Sequence, residues 1–136
     1  MPLPAASPFF DKTYKETMSL LVEARNYVAF VEWRERQKLP IPGQLILSCE
    51  SLRITSRLTQ VMAWLLLQRA VQNGELSLEE ACGDEHRLGG DRVCLESNPA
   101  ADKALPDGIR SLLDRSRSLY CRVRRLEEMI NQKVCA

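Results

Sequence analysis

Histidine is almost missing from this chain of 136 residues: His86 is the single one. It stands in a polar stretch, where a solvated side chain is the ordinary reading, and nucleophilic catalysis would need an activated Ser or Cys beside such a base. Long apolar runs are missing too. The longest, Val61 to Leu67, has seven residues, against the roughly 18 that a membrane-spanning helix requires. Met1 to Pro8 holds neither Lys nor Arg and no apolar stretch of signal-peptide length, so a soluble, cytoplasmic protein with no membrane partner is expected. An excess of one charge is lacking as well: 19 Lys and Arg face 18 Asp and Glu, which removes any global attraction to nucleic acid. The five cysteines are odd in number, irregularly spaced and without a Cys-x-x-Cys, arguing for reduced thiols rather than a disulfide framework or zinc ribbon. Cys82, His86 and Cys94 form at most a partial metal set without a nearby fourth soft ligand. Gly89-Gly90 lacks the downstream glycine and lysine of a phosphate-cradling loop. No metal, cofactor or enzymatic activity is therefore expected.

What the chain does have is helical periodicity. With 45% hydrophobic residues it can bury one domain-sized core. A first helix is predicted over about 8–38, opened by Ser7 as cap and Pro8 at the first helical position. Tyr14, Leu21 and Val28 recur every seventh residue, with Phe10, Ala24 and Val31 filling the alternate positions, giving one apolar face. Pro40, Pro42 and Gly43 force a turn, and so short a connection implies an antiparallel neighbour.

A second helix is predicted over about 43–73, with Gly74 in the left-handed conformation that ends it. Placed about 100° apart, Leu45, Leu47, Leu52, Ile54, Leu58, Val61, Met62, Leu65 and Leu66 cover roughly 200° of its circumference. Opposite them, Glu50, Arg53, Arg57, Gln60, Trp64 and Gln68 are spaced three and four apart and share one face. A bland reading pairs Glu50 with Arg53 and packs Trp64 inside the same bundle. The broad apolar arc already serves the core, however, and Trp and Arg are enriched where proteins meet, so this strip is the candidate protein-binding surface, for a second copy or another partner.

Ser77-Leu78-Glu79-Glu80 has the spacing of a capping box and predicts a short helix over about 78–82. Residues 83–105 carry two adjacent glycines and Asn98-Pro99 without helical period, and read as a long surface loop pinned by Leu88, Val93 and Leu95 rather than as a ligand site. A third helix, about 107–134, places Ile109, Leu112, Leu119, Val123, Leu126 and Ile130 on one seam that Ser116 interrupts. Its arginines Arg110, Arg115, Arg117, Arg122, Arg124 and Arg125 are the best argument for nucleic acid. They are spread around the helix with only Tyr120 as aromatic company, so salt bridges to helix one and a solvated face are the better reading. With no strand-period segment and no repeat, the fold class is all-α: an antiparallel three-helix bundle with a short extra helix and a long loop between helices two and three.

The second helix also carries a resemblance. Glu50-Ser51-Leu52-Arg53-Ile54-Thr55-Ser56-Arg57-Leu58, Gln60-Val61-Met62-Ala63-Trp64-Leu65-Leu66, Gln68-Arg69-Ala70-Val71 and Gly74-Glu75 resemble the signature of the RcdA family, regulators of CtrA degradation. Thr13-Tyr14, Glu23-Ala24-Arg25, Glu80-Ala81, Arg87-Leu88-Gly89 and Cys94 add to it. The resemblance implies a homodimeric three-helix bundle that serves the ClpXP protease as a non-enzymatic adaptor for cell-cycle regulators. The alternatives are a nucleic-acid-associated regulator using the third helix, or a purely structural dimerisation module.

Overall fold

A computed structural model of the chain describes residues 8–98 and 103–134. Helix α1 spans Pro8–Phe30, α2 Glu32–Gln37, α3 Ile41–Gln72, α4 Leu78–Ala81, α5 Asp91–Cys94 and α6 Asp107–Val134, with a 3-10 turn at Asp84–His86 between α4 and α5. Among the described residues there is no strand. The all-α bundle is as expected, and α1, α3 and α6 are its three long members. Ser7, the expected cap of the first helix, lies outside the described residues.

The first helix does not run unbroken to residue 38. Val31, at φ −121° and ψ −42°, separates α1 from α2. Side chains of α2 hold the corner: Glu35 accepts from the Tyr27 hydroxyl at 2.6 Å, and Arg36 donates to the Gln44 carbonyl and the Ser48 hydroxyl. These contacts tie α2 to α1 on one side and to α3 on the other. The buried ridge of α1 is Phe10, Thr13, Thr17, Leu20 and Tyr27, while Val28 is exposed. Two threonines can occupy this ridge because the Thr17 hydroxyl donates to the Thr13 carbonyl at 2.8 Å and leaves no polar group unmade.

Helix α3 begins with Pro42 in its first turn, where the missing amide costs nothing. It ends at Gly74, which takes φ 79° as expected. Ser77 and Glu80 form the expected reciprocal cap of α4.

Helix directions differ from the expectation. Arg69 lies over the rings of Phe10 and Tyr14 at one end of the α1–α3 pair, and Ser51 bonds Glu32 at the other, so these helices are antiparallel. Arg122 meets Glu16 and Arg115 meets Glu23, so α6 is antiparallel to α1 as well. It follows that α3 and α6 run parallel. Their connection must return over much of the length of α3, roughly 30 Å at 1.5 Å per residue. That return is the physical reason for the long segment between them.

Candidate functional site: a strap on three arginines

Periodicity grouped Glu50, Arg53, Arg57, Gln60, Trp64 and Gln68 on one face of α3, and they do share one. The face is turned inwards, however, which corrects their placement as an exposed surface. Arg57 is 1% exposed and Trp64 5%; Glu50 and Gln68 are also buried, and Arg53 and Gln60 are half-buried. The apolar arc is the part that divides. Leu47, Ile54, Leu58, Val61 and Leu65 enter the core, whereas Leu45 and Leu52 stand 64% and 68% exposed and Leu66 is also open to solvent.

What covers the polar strip is the returning segment, residues 86–98, lying as a strap between α3 and α6. Its backbone is tied almost residue by residue. The Leu88 amide donates to the Glu127 carboxylate at 2.6 Å, and the Gly89 amide to Gln60 Oε1 at 2.9 Å. The Tyr120 hydroxyl donates to the Gly89 carbonyl at 2.7 Å and lies 3.0 Å from Asp91 Oδ1, whose other oxygen meets Arg124 at 3.3 Å. Gly90, at φ 79°, turns the strap into α5; a Cβ there would stand 3.0 Å from Cys94 Sγ.

The end of α5 then meets three guanidinium groups. Arg53 donates to the Val93 carbonyl, Arg57 Nε to that of Cys94 at 2.8 Å, Arg117 Nε to that of Leu95 at 3.2 Å, and Arg57 Nη2 to that of Glu96 at 3.0 Å. A helix C-terminus leaves its last carbonyls without intrahelical partners and carries partial negative charge. Four consecutive carbonyls are here satisfied by cations instead.

Arg57 uses its remaining fork on α6, donating to the Leu113 carbonyl at 3.0 Å and the Ser116 hydroxyl at 3.2 Å. Glu50 pairs with Arg53 at 3.0 Å rather than with Arg57. Burial, and then the neighbouring Arg53, therefore push the Arg57 pKa down. Burial likewise raises the pKa of Cys94, Tyr120 and Glu127. Apolar anchoring of the strap is slight: Leu88 and Cys94 are buried, Leu95 is half-buried and Val93 is exposed.

The α6 arginines are mostly engaged inside the molecule, as their distribution suggested. Arg115 binds Glu23 through both terminal nitrogens, Arg122 binds Glu16, Arg110 binds Asp107, and Arg117 and Arg124 hold the strap. Cys82 and His86 are half-buried and Cys94 is buried, but among the described residues no three His, Cys, Asp or Glu side chains are gathered for a metal ion. Nor is any described helix long and apolar enough to cross a membrane.

A second feature lies on another side of α3. An open groove of about 370 Å³ runs between α1 and α3, with Leu21, Ala24 and Val28 on one wall and Ser51 and Thr55 on the other. Ile109 and Leu112 of α6 reach its lining. Sequence reading credited this side to the core and so missed it; the excess width of the apolar arc was the available signal.

Together these observations define an all-α bundle in which a crossover strap, held by arginines, closes the groove between two parallel helices. The model of the family described as "Protein of unknown function (DUF1465)" matches residues 3–135. The crystal structure of RcdA from Caulobacter crescentus CB15 is similar at 35% sequence identity, covering 96% of this chain and 97% of that one, with a TM-score of 0.75. No curated protein gives a match. The chain belongs to the RcdA family.

Proposed function

We propose that the chain is a non-enzymatic adaptor in regulated proteolysis, helping to deliver cell-cycle regulators to the ClpXP protease. The observation that carries this reading is the likeness to RcdA over nearly the full length of both chains. The structure supports it by leaving apolar contact surface outside the core. Val22 and Val28 on α1 and Leu52 and Leu66 on α3 are exposed, and the α1–α3 groove opens among helices that carry them. Contact surfaces with an apolar centre are what association between proteins uses.

The proposed partners are a second copy of the chain, the protease and its accessory or substrate proteins, in the cytoplasm. The exposed apolar side of α3 that carries Leu52 and Leu66, rather than the strip under the strap, is the surface available to the second copy. Leu52→Glu should then leave stability within about 0.5 kcal/mol while lowering the mass seen by sedimentation equilibrium. An unchanged mass would remove this face from the interface. The nucleic-acid alternative loses its main support because five of the six α6 arginines are committed to Glu16, Glu23, Asp91, Asp107 and a strap carbonyl.

The decisive experiment is degradation of candidate regulators by ClpXP with and without the protein. Delivery predicts a faster loss of at least one regulator. Equal rates throughout, together with no physical association with the protease or its accessory factors, would reject the adaptor reading.

A further inference from the structure

We propose that the groove between α3 and α6 is a peptide-binding site which the protein's own strap occupies, and that an acidic segment of another polypeptide competes with residues 93–96 for Arg53, Arg57 and Arg117. This goes beyond the adaptor reading and does not depend on it: a peptide can bind here whether or not a protease is served.

Three observations carry the inference. The first is the ligand already present. Three arginines donate to four successive backbone carbonyls, from Val93 to Glu96, so the cluster binds a stretch of polypeptide through its main chain.

The second is charge. Glu50 pairs with Arg53, and Glu96 approaches Arg53 at 3.8 Å while remaining largely exposed. All the hydrogen bonds of Arg57 go to neutral oxygens, those of Cys94, Leu113, Ser116 and Glu96. Bonds from guanidinium to carboxylate are about twice as strong as neutral ones and can be bidentate. A segment offering carboxylates at the positions of the Cys94 and Glu96 carbonyls is thus the better electrostatic match.

The third is how the strap is held. Its ties are hydrogen bonds and the ion pairs of Asp91 with Arg124 and Glu96 with Arg53, all of which water can replace on opening, and its buried apolar side chains are few. A segment with few buried apolar contacts opens at lower free energy than the core it covers. Leu47, Leu58, Leu65, Ile109 and Leu119 of the core come from the long helices, and the strap adds only Leu88 and Cys94 to the same cluster, with Leu95 packed against it.

Competition makes a distinctive demand. If a ligand binds only strap-open molecules, its apparent affinity scales with the open fraction, so loosening the strap away from the arginines must tighten binding. Tyr120→Phe does this, removing the hydroxyl from Gly89 and Asp91 without touching the guanidinium groups.

The test uses the full chain and a short fluorescein-labelled glutamate-rich peptide, with its glutamine counterpart as control, titrated by anisotropy at physiological salt. The glutamate peptide should bind and the glutamine peptide should not. Tyr120→Phe should tighten binding about threefold to tenfold, the equivalent of one net hydrogen bond. Arg57→Lys, which keeps the charge but loses the fork, should weaken it. Should that variant fail to fold, Arg117→Gln on the exposed side serves the same purpose. Hydrogen exchange should show amides of residues 88–96 quickened by Tyr120→Phe while those of α3 are unchanged. The proposal is overturned by failure of the glutamate peptide to bind, or by binding that survives loss of both Arg57 and Arg117. It is equally overturned if faster strap exchange comes without tighter binding, or if the strap exchanges only through global unfolding.

Discussion

The hydroxyl of Ser116 lies 3.2 Å from Nη1 of Arg57, so the one residue that interrupts the apolar seam of α6 receives the most deeply buried cation of α3. Two apparent defects in two amphipathic helices answer each other. Ser116 also donates to the Leu113 carbonyl at 3.1 Å, the same oxygen that accepts from Arg57.

Completing the α6 seam should therefore harm the protein. Ser116→Leu extends the run from Leu112 to Leu119 but places a bulky side chain against the guanidinium, at a cost of about 1–3 kcal/mol for overpacking beyond the lost bond. Ser116→Ala should cost only about 1 kcal/mol. Urea denaturation of both variants decides it: leucine as stable as alanine would show that Arg57 does not depend on this site.

Removing the cation should be felt chiefly in the strap. Arg57→Ala strands the Cys94 and Glu96 carbonyls and opens a cavity, and bonds to charged groups contribute about 1.5–3 kcal/mol. Stability should fall by roughly 2–4 kcal/mol on that scale. Hydrogen exchange should locate the greatest loss of protection at residues 88–96. Protection lost evenly across all helices would contradict the arrangement described.

Gln68 offers the opposite sign. Its Oε1 is buried with no hydrogen-bond partner among the described residues, and burying an amide unpaired costs about 1–3 kcal/mol. Gln68→Met, similar in volume, should raise the denaturation midpoint by the equivalent of about 1 kcal/mol. A lowered midpoint would mean that this amide is satisfied in solution.

Glu127 gives a pH signature. Burial raises its pKa above the ordinary 4.5, so the folded state holds the proton more tightly than the unfolded chain. Its contribution is fully present below the unfolded pKa and is lost as pH rises through the folded one. Glu127→Gln can still accept from the Leu88 amide and removes the ionisation. The stability of wild type relative to this variant should decline from pH 4.5 upwards until Glu127 is ionised; a flat difference would refute the assignment. Glu23 behaves conversely, since its bond to Arg115 lowers its pKa, but the pair is exposed and screened.

Much of the fold was legible because its signals are local. Gly74 and the Ser77–Glu80 box act within a turn or two of helix and set ends that the structure keeps, and the seam of α6 is equally local, whereas Pro42, expected in the turn, sits in the first turn of α3. Periodicity also grouped the six strip residues correctly. It could not say which side of α3 would be covered, because a periodic pattern fixes shared faces and not their neighbours. The expectation assumed that a polar face meets water. Here it meets backbone carbonyls, whose presence depends on where a loop goes. The direction of α6 was hidden for the same reason, although the length of the 83–105 segment carried the clue: an antiparallel third helix needs no such journey.

The parallel course of α3 and α6 bears on the order in which the molecule assembles. Residues 8–72 can form a helical hairpin from neighbouring contacts, whereas Arg57 is sequestered only once the chain has doubled back and α6 has been made. The guanidinium groups of Arg53 and Arg57 can therefore stay hydrated until α6 and the strap pack on them. Refolding kinetics should reflect this sequence: substitutions at the Leu20 or Leu65 level slow folding, while those at Arg57 mainly hasten unfolding.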